Sequence, residues 1–144
     1  MTEVEFHTGV ADSVGFTCRL LRKAGRQGVR VLVTAPEAVL RDLDRQLWTE
    51  GEHDFLPHVR MPGARPDVAA RTPVWLARNA AIDGAPLVVV NLGAEAPAQL
   101  EALQRLIEVV SGEPDEAERG RGRWRAYKAA GLDIRHHAAG AGRE

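Results

Sequence analysis

The sequence predicts a single α/β domain whose mostly parallel sheet is flanked by helices. A chain of 144 residues is long enough for one hydrophobic core. Two short, β-branched and almost continuously apolar runs, residues 29–35 and 86–93, are typical of strands buried on both faces. Segments with the apolar spacing of helices lie between such runs, and this alternation of strand and helix favours a parallel sheet.

The chain opens with a strand followed by a helix. In residues 3–9 apolar side chains alternate with charged ones, which predicts a short strand. Residues 13–27 carry apolar side chains at helical spacing, with Ser13 as the predicted N-cap and Gly25 or Gly28 as the stop. This pair is the first unit of the predicted alternation.

A second helix is predicted from Pro36, because proline is favoured at the first position of a helix. Its apolar stripe consists of Val39, Leu40, Leu43 and Leu47. Residues 51–73 are rich in proline and glycine, so we expect loops and a short edge strand there. The apolar run 74–77 predicts a further strand.

The last third of the chain combines a strand with a terminal helix. Residues 97–112 are predicted to begin as a helix and to become a strand near 107–110. The last helix is predicted over about residues 114–130, with Gly131 as its C-terminal stop. We expect residues 138–144 to form a flexible tail.

The composition is that of an ordinary globular protein, with 44% hydrophobic and 27% charged residues. The formal net charge is −1, so no global field attracts the chain to nucleic acid or to a membrane. Without a long apolar run or a signal-peptide pattern, we expect a cytoplasmic protein with no membrane partner. The single cysteine, Cys18, excludes an internal disulfide and suits a small buried hydrophobe. We predict one domain over residues 1–137.

A nucleotide-binding loop is missing from the turns where an α/β domain would carry one. A phosphate-binding P-loop needs two glycines five positions apart, followed by lysine and serine or threonine. Gly15 is followed by Phe16 and Thr17, and Val10 stands five positions before it. No G-x-G-x-x-G motif follows a predicted strand. We therefore expect no nucleotide cofactor and no catalysis on a nucleotide.

The histidines show no motif for a metal or for catalysis. His53 and His58 lie in a proline-bearing loop at a spacing that matches no common zinc motif. His136 and His137 are adjacent, so in an extended segment they point to opposite faces. No histidine has a nucleophile or an acidic partner by motif. We expect a protein without metal, cofactor or catalytic residues.

The strongest local signal is a cluster of basic residues near the end of the chain. Residues 119–128 hold five basic side chains and one tryptophan, while the acidic residues of 113–118 precede them. Acidic side chains near the N-terminus of a helix and basic side chains near its C-terminus interact favourably with the helix dipole. This effect explains part of the pattern. The helix dipole does not explain why four of these residues share the spacing i, i+3, i+4 and i+7, which places them on one face of a helix. They are Arg121, Trp124, Arg125 and Lys128.

This face predicts a binding site. No acidic residue follows closely to neutralise the cations, so they cannot be core, and we expect the helix to turn Ala126, Tyr127 and Ala130 inward. Gly120 and Gly122 predict an irregular helix or a close approach of a ligand to the backbone.

Two ligand classes suit three cations around an indole. An acidic peptide places carboxylates on the guanidinium groups and an apolar anchor beside the ring. A single-stranded nucleic acid places phosphates on the cations and stacks a base. Five basic residues without a basic track elsewhere favour the peptide, bound with micromolar, salt-sensitive affinity. Direct binding of single-stranded nucleic acid remains the alternative, and a small enzyme on an α/β scaffold is a second rival.

Several segments of the chain, taken in their order and spacing, resemble the chi subunit family of bacterial DNA polymerase III holoenzyme. The resemblance rests on "VEFHTG", "CRLLRKAGRQGVRVLVTAPE", "LDRQLWTEGEHDFLPH", "PLVVVNLG", "IEVV" and "RWRAYKAAGLDI", which together span most of residues 3–135. It implies a Rossmann-like α/β fold without a nucleotide-binding loop. It also implies a non-catalytic accessory subunit rather than an enzyme.

The resemblance implies partners and sites as well. Members of the chi family tether the clamp-loader complex to the acidic, phenylalanine-ending C-terminal tail of the single-stranded-DNA-binding protein, and so associate indirectly with single-stranded DNA. Matched position by position, the tail site consists of Arg121, Trp124, Arg125 and Lys128. The sequence departs from the family by a tryptophan where tyrosine is common, and by Glu113 where an apolar residue can flank the pocket.

A second implied surface lies earlier in the chain. Trp48 and Phe55 match family aromatics that contact the psi subunit or an alternative helicase partner. By its position at the end of an amphipathic helix, Trp48 is more typical of the core, whereas Phe55 in a polar loop is typical of an interface.

Overall fold

The computed structural model describes residues 2–49 and 55–139, which form one sheet with helices on both of its faces. The strands are β1 (Glu3–Val10), β2 (Val31–Thr34), β3 (His58–Arg60), β4 (Val74–Ala77), β5 (Val88–Asn91), β6 (Arg105–Ser111) and β7 (Ile134–Ala138). The helices are α1 (Ser13–Arg26), α2 (Glu37–Thr49), α3 (Pro66–Arg71) and α4 (Pro114–Ala129), with one 3₁₀ turn at Leu100–Ala102.

The sheet confirms the predicted fold class. Its strands run in the order β3-β4-β2-β5-β6-β1-β7, and every neighbouring pair is parallel. The sheet is open at both edges, with β3 and β7 as the edge strands. Because all strands are parallel, their carboxyl ends lie along one edge of the sheet, and the loops that follow them share that edge.

Side chains of successive strand residues divide the core into two layers. In β2, Val31 and Val33 face the layer that contains the buried leucines of α1 and α2, whereas Leu32 faces the layer of α3 and α4. Each face of the sheet is therefore covered by helices, and the central strands β2, β4 and β5 are buried along their whole length. Cys18 is buried in the first layer, as its sequence context predicts.

The first helix differs from the prediction at its start. Asp12, not Ser13, is the N-cap: its carboxylate accepts a hydrogen bond from the N–H of Gly15 at 3.0 Å. A Cβ at Gly15 would lie 2.3 Å from that carboxylate, so the capping geometry needs glycine there. The helix ends at Arg26, and Gly28 follows with a φ of +72°, a conformation that favours glycine.

Two predictions in the middle of the chain are wrong. The segment predicted as loops contains α3 as well as the expected edge strand β3, because Pro66 starts a short helix too brief to show periodicity. Its Ala69 carbonyl accepts a hydrogen bond from the indole N–H of Trp75 at 2.9 Å. The helix expected from residue 97 is only a 3₁₀ turn, and β6 begins at Arg105, earlier than predicted.

The end of the chain adds a strand that the sequence did not predict. β7 pairs with β1 along its whole length, and beyond it the N–H of Ala139 donates to the carbonyl of Thr8 at 2.8 Å. The predicted flexible tail therefore starts too early at residue 138, while residues 140–144 lie outside the described residues. Gly131 has a φ of +87° and follows the end of α4, as predicted. Within the described ranges no helix combines the length and apolarity needed to cross a bilayer.

Candidate partner-binding site on helix α4

One glycine of helix α4 packs directly on the sheet. Gly120 packs on Val110 of β6, and a Cβ at Gly120 would lie 3.0 Å from one methyl of Val110 and 3.1 Å from the other. The helix is continuous over Pro114–Ala129, so the predicted irregularity at Gly120 and Gly122 is wrong. At Gly120 it is the valine of β6 that approaches the backbone, while the space around a Cβ at Gly122 is open.

A buried carboxylate fixes α4 against the strands. Glu108 of β6 is fully buried, and its two oxygens accept hydrogen bonds from Arg123 at 2.9 Å and from the Tyr127 hydroxyl at 2.6 Å. Asn91 of β5 donates a third bond at 3.0 Å and itself accepts one from Thr34 at 3.1 Å. Because every partner donates to the carboxylate, these bonds offset part of the free-energy cost of its burial.

The pKa values within this network follow from its burial. Desolvation raises the pKa of Glu108, against the opposing effects of Arg123 and of the hydrogen bonds to its oxygens. Desolvation also raises the pKa of Tyr127, and the neighbouring Glu108 adds to that effect. Arg123 has a side chain only 11% exposed, so one of the five clustered basic residues serves the interior rather than the surface. In the sequence, the feature that could have indicated this network is Glu108, a charged residue inside the apolar run of β6.

The adjoining surface contains a pocket of about 580 Å³ between α4 and the carboxyl ends of β1 and β6. Its lining comes from β1 (Phe6, Thr8, Gly9), from β6 and the turn after it (Val110, Ser111, Gly112), from α4 (Ala117, Gly120, Arg121, Trp124, Arg125) and from β7 (His136). The floor is apolar and the charged groups come from the helix. Among the described residues that line it there is no carboxylate.

Trp124 is half-buried and forms one wall of this pocket. Its ring meets Phe6 edge-on at a centroid distance of 4.9 Å and His136 at 5.3 Å, the latter with an angle of 74° between the planes. The ring of His136 is held by a hydrogen bond of 2.7 Å to the Thr8 hydroxyl. The indole is thus fixed in orientation while part of it stays accessible to a ligand. His136 was missed as a site residue because β7 was not predicted.

Three of the four predicted site residues line the pocket. Arg121 and Arg125 are exposed beside Trp124, whereas Lys128 is exposed on the last turn of α4 and does not line it. The inward side of the helix was predicted only in part: Tyr127 is buried, but Ala126 and Ala130 are exposed.

Two of the cations have an acidic neighbour among the residues that precede them. Glu118 lies 2.6 Å from Arg121, one turn later on the same helix, and 3.8 Å from Arg125, two turns later. The hydrogen bond from Arg121 lowers the pKa of Glu118. Both arginines are largely exposed, so water screens these ion pairs and the guanidinium groups remain available to another carboxylate. Glu113 is exposed at the N-cap of α4 and does not line the pocket, so the acidic departure from the family lies outside it.

A second candidate surface is formed by residues earlier in the chain, at the end of α2 and before β3. Trp48 is 62% exposed and Phe55 is 53% exposed, with ring centroids 5.0 Å apart. Trp48 is therefore not core, contrary to its position in the helix pattern. His58, whose ring nitrogens lie 2.8 Å from the Leu56 carbonyl and 2.8 Å from Asp44, supports the indole edge-on at 5.4 Å. His53 falls outside the described residues.

Comparison with known proteins decides the family. The sequence model of the family described as "DNA polymerase III chi subunit, HolC" matches residues 1–135. The chain belongs to this chi family. It is 30% identical over 142 residues to the DNA polymerase III subunit chi of Pseudomonas aeruginosa, and the match covers 95% of this chain and 96% of that protein. Membership of the chi family supports an accessory role in DNA replication and confirms the resemblance stated from the sequence.

Proposed function

We propose that this chi family member is a non-catalytic adaptor of the DNA polymerase III clamp-loader complex that binds the acidic C-terminal tail of the single-stranded-DNA-binding protein. The observation that carries the proposal is the pocket beside Trp124, which combines an apolar floor with two exposed guanidinium groups at its rim. A ligand for it needs an apolar end group and negative charge next to that group.

A peptide that ends in phenylalanine meets both requirements. Its terminal ring fits against Phe6, Val110 and Trp124, since a volume of about 580 Å³ lies in the range of small-ligand pockets. Its terminal carboxylate and preceding aspartates lie within reach of Arg121 and Arg125, which bind carboxylates in a bidentate manner. Lys128, outside the lining, attracts the acidic residues further along the tail.

The expected affinity is modest. Burial of one aromatic side chain contributes roughly 1.5–3 kcal/mol, and each exposed ion pair contributes about 0.2–1 kcal/mol. The loss of translational and rotational freedom on association offsets much of this sum, so we expect the complex to be no tighter than micromolar. Such binding weakens with rising salt because the ion pairs are exposed to solvent.

The test is a titration of the full chain with a short acidic peptide that ends in phenylalanine, followed by fluorescence anisotropy or calorimetry. Saturable binding is expected; removal of the terminal phenylalanine weakens it strongly, and the change Arg125→Ala weakens it by up to about fivefold. Arg119→Ala is the matched control. This change removes the same charge from the same helix, but Arg119 does not line the pocket. Equal weakening by both arginine changes, or indifference to the terminal residue, contradicts the proposal.

For the second surface we propose that Trp48 and Phe55 bind a protein partner within the replication machinery, either a psi subunit or a helicase. The support is the pair of large, exposed and mutually packed aromatic rings, since such side chains are the common anchors of protein interfaces. Co-purification with each candidate partner tests this, and the double change Trp48→Ala with Phe55→Ala is expected to abolish capture of the true one.

A further inference from the structure

A cluster of potential metal ligands lies on the sheet face opposite the α4 pocket. Glu5 and His7 are two residues apart on β1 and therefore point to the same face of the sheet. His137 of β7 is the direct register partner of His7, so its side chain lies on that face as well. One ligand atom from each of these three residues lies within 4.8 Å of the other two.

The two rings and the carboxylate already face one another. A Glu5 oxygen lies 3.0 Å from Nε2 of His7, and the imidazoles of His7 and His137 stack with centroids 4.8 Å apart and planes inclined by 17°. Zinc–nitrogen and zinc–oxygen bonds are roughly 2 Å long, so a bound ion would draw these three ligand atoms, which lie within 4.8 Å of one another, closer together.

The neighbours of the cluster hold two of its members in place. Phe16 of α1 packs against the ring of His7 at a centroid distance of 5.0 Å. The His7 side chain is only 19% exposed. Arg105 of β6 donates to the second oxygen of Glu5 at 2.5 Å, and Glu5 is 12% exposed. Outer contacts of this kind orient the first ligands of metal sites. His137 is exposed on the edge strand, which leaves the site open to solvent and to an entering ion.

We propose that Glu5, His7 and His137 bind a divalent transition-metal ion, with Zn²⁺ as the best-suited ion. Two imidazoles and one carboxylate form a known ligand set for zinc, and a water molecule completes the tetrahedron at the open side. The ion joins the edge strand β7 to β1 at the residue pair His7 and His137. The positive charge of Arg105 next to Glu5 opposes the ion, so we expect affinity in the micromolar rather than the nanomolar range.

The experiment uses the full chain after removal of metal with a chelator. Titration with Zn²⁺ by calorimetry is expected to give one site per chain, and titration with Co²⁺ is expected to produce the visible absorption of a tetrahedral cobalt centre. His137→Ala is expected to weaken binding by about tenfold or more. The ring-proton signals of His7 and His137 in NMR spectra are expected to shift together on addition of Zn²⁺.

His136→Ala is the matched control, because His136 is adjacent in sequence but lies on the other face of the sheet against Trp124. It is expected to leave zinc binding unchanged. His7→Ala supplies a second ligand variant, with circular dichroism to show that it folds. Binding that is unaffected by His137→Ala, or that is lost equally in His136→Ala, overturns the proposal, as does the absence of any saturable binding to the wild-type chain.

Discussion

The indole of Trp124 lies edge-on against the ring of Phe6, with centroids 4.9 Å apart and planes inclined by 63°. The contact joins α4 to β1, so the same tryptophan packs against the core and forms a wall of the pocket. An aromatic ring at this position therefore serves stability and ligand binding together.

Trp124→Ala is expected to lower both properties. Loss of a half-buried indole costs about 2 kcal/mol of folding free energy, less than the roughly 3–5 kcal/mol of a fully buried one. Peptide affinity falls because the wall of the pocket is removed. Trp124→Tyr keeps a ring against Phe6 and is expected to retain most of the binding. Urea denaturation and peptide titration of both variants check this, and binding that survives Trp124→Ala would show that the tail binds elsewhere.

The two glycines of α4 are expected to respond in opposite directions to alanine. Alanine favours a helix over glycine by about 1 kcal/mol, so Gly122→Ala, whose Cβ meets open space, is expected to stabilise the protein. At Gly120 the new methyl group presses on both methyls of Val110, a buried and branched side chain with little freedom to move. Overpacking of this kind costs about 1–3 kcal/mol, which equals or exceeds the helix gain of about 1 kcal/mol. Chemical denaturation measures both changes, and stabilisation by Gly120→Ala would contradict the close packing.

Glu108→Gln is expected to destabilise the fold. The glutamine amide places a donor against Arg123, Tyr127 and Asn91, which are themselves donors, and an unpaired buried polar group costs about 1–3 kcal/mol. Tyr127→Phe, which removes only one of the three donors, is the milder comparison.

The size of the Glu108→Gln effect is expected to depend on pH. Burial raises the pKa of Glu108 above its ordinary value of 4.5. A carboxyl with a raised pKa stabilises the folded state fully below the unfolded-state pKa, and this contribution is lost as pH rises through the folded-state pKa. The difference in stability between wild type and variant is therefore larger at about pH 4 than at about pH 7. Urea denaturation at both pH values measures it, and a difference that grows with pH would be inconsistent with a raised pKa.

The surface formed by Trp48 and Phe55 is expected to be independent of the α4 pocket. Both side chains are exposed, so replacing the two by alanine is expected to change stability by only about 0.5 kcal/mol each. Tail-peptide affinity stays at the wild-type value, because neither residue lines the pocket. Thermal unfolding and the peptide titration check both statements, and loss of peptide binding in the double variant would show that the two surfaces are coupled.

The parts of the fold that sequence reasoning predicted are those in which periodicity and burial agree. The buried runs around Val33 and Val90 give central strands, because continuous β-branched apolar side chains require cover on both faces. β7 escaped prediction because an edge strand with exposed histidines has no apolar alternation. The short helix α3 was not predicted either, because six residues are too few to show a helical period.

The candidate site was predictable on one side only. Helical spacing places Arg121, Trp124 and Arg125 together, and in the structure these three residues line one pocket. The opposite wall comes from Phe6 and Val110, more than 100 residues apart in sequence, and only the parallel pairing of β1 with β6 brings them together. Local patterns contain no information on such a pairing.

The most direct test of the adaptor function compares two forms of the single-stranded-DNA-binding protein as ligands of the full chain. One form is intact and the other lacks its acidic C-terminal tail, and a bare single-stranded oligonucleotide serves as the third ligand. We expect saturable binding to the intact protein alone, with both other ligands showing little affinity at physiological salt. Equal binding to the intact and shortened forms, or tighter binding to the oligonucleotide, would contradict a tail-binding adaptor.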